Sequence, residues 1–332
     1  MPQRIVFPAK GEVELQGFEL PELGQQDVRV RTHYSLMSIG TETIILHQRY
    51  DPDTHFAKIF SFPQLKTGVQ ALGTVEACGE NVEEFSPGDL VYMRAAHGSH
   101  QQLPAAALSL VPENVDHKKA CWAGLAKTAF RAAWAAQPGL GSDVLIIGAG
   151  PVGQMATRWI AAAGARSITV VDLAVARLEH AKRGGATSAL EGDVAEQRET
   201  IAAIDDRSGP SIVIDTTGNP AAFKHALDAT ARFGKVILLG DTGYPDRQHL
   251  TSDMMSKGLT VQATHDSHDR DGWDQRRVDA HFFSVVQSGR FNLDGLITHE
   301  FTPVDCAKAY DLAETDRGNA MGILYDWTGT EY

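Results

Sequence analysis

Three glycines in the stretch Asp143–Gly153, DVLIIGAGPVG, stand where the lack of a side chain has a chemical use. Gly148, Gly150 and Gly153 form GxGxxG directly after an apolar run and directly before an amphipathic one. In a strand–turn–helix unit the first glycine permits a tight turn and the second lets backbone approach a pyrophosphate. The third lets helix pack closely on strand. A helix beginning at Pro151 and Val152 offers unpaired N–H groups and the positive end of its dipole to that anion. Asp172 ends the next apolar run, SITVVD. A carboxylate there accepts hydrogen bonds from the hydroxyls of an adenosine ribose and repels a 2′-phosphate, which favours NAD over NADP. Arg177 is the opposing signal, because a guanidinium can host a 2′-phosphate; its alternatives are packing along the adenine face or plain solvation. A glycine turn in an unrelated α/β fold, with a surface aspartate, is the competing explanation of the motif.

Metal-binding spacing is missing from the sequence. Cys78, Cys121 and Cys306 lie far apart with no CxxC pair, and the histidines show neither HxxxH nor HExxH spacing, whereas zinc takes about four N, S or O ligands. An odd number of scattered cysteines excludes a disulfide framework and suits a reducing compartment. A formal net charge of −12 argues against nucleic acid or an anionic membrane as a standing partner. Met1 to Glu12 has no charged-then-apolar leader. No apolar run reaches the roughly 18 residues of a membrane span. The expectation is a soluble, cytoplasmic protein that handles a small molecule.

The elements that must position these residues fall into two grammars. At 332 residues the chain suggests two domains. Up to about residue 120 it reads as short strands in a barrel or rolled sheet. Asp27–Tyr34 and Gly88–Met93 alternate at period two, and Pro21, Gly24, Pro63, Gly68, Pro87 and Gly88 punctuate the spaces. From about residue 142 apolar runs appear at Val144–Ile147, Ile168–Val171, Thr187–Leu190, Ile212–Ile214, Val236–Leu239 and Leu259–Val261. Helix-period segments lie between several of them. One is the run Val152, Met155, Ala156, Trp159, Ile160, Ala163. Six apolar strands alternating with helices predict a doubly wound parallel sheet covered on both faces. A charged run, His268 to Asp279, opens a mixed helix-and-strand tail.

With both halves read, the sequence resembles the medium-chain dehydrogenase/reductase superfamily over nearly its full length. Gly73-Thr-Val75, Gly79, Val82, Phe85 and Gly88-Asp89-x-Val91 follow that family's GxVxxxGxxVxxFxxGDxV pattern, and Gly289-Arg-Phe291, Leu296-Ile-Thr298 and Ala309-Tyr310 resemble its closing segment. The resemblance implies a β-rich GroES-like catalytic domain over residues 1–125 and 266–332, and a Rossmann NAD-binding domain over 126–265. It also implies a homodimer or homotetramer. Zinc members carry Cys-Gly-Thr/Ser-Asp and Gly-His-Glu where this chain has Ile39-Gly40-Thr41-Glu42 and Gly68-Val69-Gln70. The third ligand position falls near Gly124, and the cysteine lobe for structural zinc is absent between Asp89 and Leu103. Ser38-Ile-Gly-Thr-Glu42 is similar instead to the zinc-free branch with (S/T)xGTE, which includes relatives of bacteriochlorophyllide dehydrogenase and of sugar or polyol dehydrogenases. Neither catalytic nor structural zinc is therefore expected.

Without zinc, side chains must manage both the hydroxyl proton and the charge that develops on oxygen. The resemblance gives Thr41 the family's proton-relay hydroxyl, against a plain turn threonine. Glu42 is expected to be a structural carboxylate that pairs with a buried arginine, against a catalytic base. Lys127, three residues after Gly124, is the candidate electrophile and proton donor if partly desolvated; a solvent-facing helix lysine is the alternative. His97 and His265 are candidate acid–base groups, and His47, Tyr50 and His100 candidate substrate contacts. Thr128, Thr216, Thr217, Gly240 and Asp241 match segments that line the nicotinamide half of the cofactor. The expected function is NAD-dependent, zinc-independent dehydrogenation of a secondary alcohol (polyol, sugar or cyclitol), or the reverse reaction. The competing functions are an NAD(P)H-dependent quinone or enone reductase and a non-catalytic nucleotide-binding protein.

Overall fold

The computed structural model describes all residues except 61, 205–208 and 330–332. It divides into two compact units. One comprises Met1–Gly124, Gly272–Gln287 and Leu296–Tyr332; the other comprises Leu125–Asp271 and Ser288–Gly295.

The second unit is built on the apolar runs. Six parallel strands lie in the order Ser188–Glu191, Ser167–Asp172, Asp143–Ile147, Ile212–Asp215, Lys235–Leu238, Thr260–Ala263. Numbered along the chain this is 3-2-1-4-5-6, the doubly wound order whose reversal point lies beside the first strand. Asp143–Ile147 is buried at every residue, as a strand covered on both faces must be. The helix Pro151–Ala163 starts with proline at its first turn and stops at Gly164, whose φ of 85° is left-handed. Met155, Ala156, Trp159 and Ile160 are buried as the periodicity requires, whereas Ala163 at the helix end is exposed. Trp159 packs edge-on against Phe130 and Phe291 at ring-centroid separations of 5.3 and 4.7 Å, and its indole donates to the carbonyl of Ala126 at 2.8 Å. Arg158 is also buried; it donates to the carbonyls of Gln154 and Asn292, and burial lowers its pKa to about 10.

The first unit holds a seven-stranded sheet and a three-stranded one. Its organising strand is Asp27–Leu36, which pairs with Ala71–Cys78, His100–Pro104 and Gly322–Asp326. Val28, Val30 and Thr32 are buried in alternation, and a register shift between Thr32 and Tyr34 precedes Ser35 and Leu36, which are both buried. The N-terminal region is not all-β: Ile39–Leu46 and His55–Ile59 are helices. The first, IGTETIIL, is apolar at most positions, so it has no polar stripe to announce a helical period. Ile39, Ile45 and Leu46 join a core with Ile5, Phe7, Tyr310, Tyr325 and Trp327.

Candidate active site

In the second unit the site is made mainly of backbone. Gly148 has φ 92°, and a Cβ there would lie 2.7 Å from Thr216 Oγ1; a Cβ at Gly153 would lie 2.0 Å from the Gly148 carbonyl oxygen. Both positions exclude any side chain. Gly150, the helix N-cap, is open: a Cβ there would meet only the Arg177 guanidinium, at 3.6 Å. No side chain caps this helix, so its first amides remain available to an anion. Pro151 and Val152 are half-buried in that first turn. Asp172 accepts the Ala149 amide on Oδ2 at 2.7 Å and the Ala174 amide on Oδ1 at 2.8 Å. Each oxygen keeps a lone pair for a ribose hydroxyl. Arg177 therefore sits at the glycine loop itself.

Two further loops close on one another at the carboxyl end of the sheet. Thr216 donates to the carbonyls of Ile147 and Gly148 at 2.8 and 3.0 Å. Thr217 donates its amide and hydroxyl to Asp215 Oδ1 at 2.8 and 2.6 Å. Asp215 is buried, Oδ2 has no hydrogen-bond partner among the described residues, and burial raises its pKa. A Cβ on Gly240 would lie 2.4 Å from the Gly218 amide, and one on Gly218 the same distance from the Asp241 carbonyl. Asp241 is exposed and Thr128 half-buried on the helix Ala123–Ala136.

Lys127, on that helix, is 4% exposed, but it does not stand alone. Its ammonium lies 3.7 Å from Asp266 and 3.5 Å from Asp269, and Arg131, one turn further on, also pairs with Asp269. His265 is exposed on the same loop, where Nδ1 accepts the Ser267 amide at 3.1 Å and lies 2.7 Å from its hydroxyl. The spacing of Lys127 and Arg131 places both on one helix face. The acids that neutralise them lie near the start of the charged run, whose partners the sequence did not reveal.

The first unit is different in kind. Thr41 is half-buried on the helix Ile39–Leu46, and its hydroxyl has no hydrogen-bond partner among the described residues. Glu42, 1% exposed, pairs not with an arginine but with a set of neutral donors and a histidine. Oε1 accepts the Ser38 amide at 2.7 Å. Oε2 accepts Thr67 Oγ1 at 2.7 Å, Tyr310 OH at 2.5 Å and His97 Nε2 at 3.1 Å. Burying a carboxylate costs on the order of several kcal/mol before compensation. Burial pushes its pKa up, yet the adjacent imidazole and the bonds from His97, Tyr310 and Thr67 outweigh that and hold it below the usual carboxylate range. Burial beside Glu42 pushes the Tyr310 phenol well up.

This arrangement corrects the expectation for His97. Its side chain is fully buried, Nε2 serves Glu42, and Nδ1 lies 2.7 Å from Ser35 Oγ, which also accepts the Trp327 indole at 2.9 Å. A ring engaged at both nitrogens is interior structure rather than an acid–base group presented to a ligand. His100 is half-buried, bonded to Ser99 Oγ at 3.0 Å and 3.7 Å from Glu76; burial lowers its pKa. His47 lies 3.8 Å from Glu314. Tyr50 donates to the Phe60 carbonyl at 3.3 Å and stacks on Phe56, and burial raises its pKa.

At the three positions where zinc relatives would carry ligands, the residues do not fit a metal. Ile39 belongs to the apolar core. Gln70 is fully buried, and its amide donates to the Leu36 carbonyl at 3.3 Å. A Cβ on Gly124 would lie 2.5 Å from Gln70 Oε1 and 2.6 Å from Tyr92 OH. That place is packed. Ser35, Thr67, Tyr92, Tyr310 and Trp327 each look ordinary in their own segments, and no local pattern marks them.

The glycine-loop sheet and the β-rich unit together have the fold of the medium-chain dehydrogenase/reductase superfamily. Residues 151–275 match the family described as zinc-binding dehydrogenase. An L-threonine 3-dehydrogenase of Anaeromyxobacter sp. (strain K) is 26% identical over 338 residues, covering 93% of each chain. Among solved structures, an Escherichia coli oxidoreductase/dehydrogenase of unknown specificity aligns at a TM-score of 0.85 and 21% identity, covering 98% of this chain and 99% of that one. Galactitol-1-phosphate dehydrogenase of the same species aligns at 0.82 and 19%, with the same coverage. Among the described residues, no helix is long and apolar enough to cross a membrane.

Proposed function

We propose that this chain is an NAD-dependent dehydrogenase that oxidises a secondary alcohol to a ketone, or runs the reverse reaction, without zinc. The observation that carries the reading is the Gly148–Gly153 loop closed on Asp172. The loop's geometry forbids side chains at two glycines and leaves the third open, and the carboxylate beside it is held by two amides with lone pairs to spare. That is a cradle for a pyrophosphate and a diol. A dinucleotide fits, and the carboxylate favours the form with a free 2′-hydroxyl. Bound nicotinamide would supply the hydride acceptor; the chain's own residues must bind, orient and manage the proton. Thr41, with an uncommitted hydroxyl, relays the substrate's hydroxyl proton, accepting it as it releases its own to water. His265 and Lys127 are the acid–base candidates of the second unit, Lys127 being held in place by Asp266 and Asp269. His47, Tyr50 and His100 orient substrate. The donor set at Ile39, Gln70 and Gly124 supports the zinc-free reading, and no step is routed through a metal.

The relatives' names suggest hydroxylated substrates: threonine for one, a polyol phosphate for another. We therefore expect a small polyol, sugar or hydroxy-amino compound. The test is NADH formation at its characteristic absorbance by purified protein, across L-threonine, galactitol 1-phosphate, free polyols and cyclitols. A chelator arm and a metal analysis accompany it. Turnover that survives chelation is expected, with NAD⁺ preferred over NADP⁺. Stoichiometric zinc whose removal abolishes turnover would end the zinc-free reading. NADH binding without turnover of any alcohol would favour a nucleotide-binding protein.

A further inference from the structure

We propose that Glu42 is the positioning residue of the reaction centre, fixing the turn that carries Thr41 where a metal would otherwise tie the same segments together. The inference rests on the zinc-free reading above and on Thr41 as proton handler. The Glu42 carboxylate gathers donors from four places in the chain: Ser38 at the start of its own helix, Thr67, His97 and Tyr310. The ties extend further. Thr67 Oγ1 also meets Tyr310 OH at 2.9 Å, and Ser35 joins His97 to Trp327. The His97 amide donates to the Thr67 carbonyl at 2.7 Å. Gly68 is held at φ 102° with its Cβ position 2.4 Å from the His97 backbone nitrogen, so the 67–70 segment lies directly against that residue.

The consequence for Thr41 is geometric. It is the residue before Glu42 on one short helix, and anchoring Glu42 at two oxygens fixes that helix in rotation as well as position. The Thr41 hydroxyl is then aimed without being spent on a bond of its own. Apolar residues would fill the same volume with no charge to compensate, so a buried carboxylate with four donors is better explained by the directionality it imposes. Glu42 itself need not touch substrate.

The test is a double-mutant cycle on turnover of whichever alcohol wild type oxidises best, with NADH affinity followed by fluorescence. Thr41→Ala is expected to lower kcat about a hundredfold. Glu42→Gln should lower kcat about tenfold or more while leaving NADH affinity and binding stoichiometry near wild type. In the Glu42→Gln background, Thr41→Ala should then cost less than about threefold, because residues acting as a unit are not additive. If Glu42→Gln fails to fold, Tyr310→Phe removes a single donor and should show the same non-additivity from a smaller single effect. A silent Thr41→Ala overturns the reading of Thr41 on which this rests. A costly Thr41→Ala that multiplies in full with either variant overturns the positioning role alone.

Discussion

The two units build polar sites by opposite means. In the second, two glycines that admit no side chain and an open one leave main chain exposed at a helix start, and one carboxylate is held by main-chain amides. In the first, side chains from Ser35, Glu42, Thr67, His97, Tyr310 and Trp327 converge in the interior. The same contrast separates two buried carboxylates. Glu42, ringed by donors, titrates below its ordinary range, whereas Asp215, with burial dominant, titrates above it. The lesson is that burial alone does not set a carboxylate's charge; the imidazole and the donors facing it do.

The sharpest way to break this comparison is at the glycines. Gly153→Ala places a methyl group against a backbone carbonyl that cannot retreat, so NADH affinity should fall more than about a hundredfold and the melting temperature should drop with it. Gly150→Ala has open space in the fold. Its melting temperature should stay near wild type while NADH affinity falls about tenfold, because only an approaching phosphate meets the methyl. Equal thermal losses in both variants would show that the loop is merely structural. Next in size, Asp172→Ala should cost about 1.5–3 kcal/mol in NAD⁺ binding, the range for hydrogen bonds to a charged group. It should also narrow the preference over NADP⁺, read as a ratio of kcat/KM.

The two carboxylates predict smaller effects of opposite sign in the pH dependence of stability. Glu42 has a depressed folded pKa, so its contribution is fully present above the unfolded value of about 4.3 and is lost as pH falls through the folded value. Asp215 has a raised one, so its contribution declines as pH rises from the unfolded value of about 3.9 through the folded value. Denaturant melts of Glu42→Gln should therefore lose part of the wild-type fall in stability on the acid side, and Asp215→Asn should gain most above that window. The same sign in both would refute the assignment. Smallest of all, His47→Gln touches one half-exposed pair at 3.8 Å and should change stability by no more than about 0.5 kcal/mol, with any effect confined to KM.

How much could be read beforehand follows the same division. All six parallel strands were legible, including the weak Thr187–Leu190, because a strand covered on both faces must be apolar at successive positions. The strand, glycine turn and helix from Asp143 to Ala163 were legible because a tight turn that admits no side chain leaves a fixed local spacing. The helix Ile39–Leu46 was not, since it is apolar nearly throughout and carries no 3.6-residue stripe. Nor was the interior cluster. Glu42 and Tyr310 are joined over 268 positions of chain, and no local pattern encodes such a meeting. Its assembly even reversed one expectation, taking His97 out of the set of acid–base candidates.

One consequence concerns the order in which the molecule can be made. The strand Asp27–Leu36 gains its partner Gly322–Asp326, and Glu42 gains Tyr310, only once those distant segments have left the ribosome. A nascent chain ending before residue 306 would carry a carboxylate missing one of its donors and a strand with an unsatisfied edge. Polypeptides cut short there should be poor folders and ready substrates for chaperones or proteases.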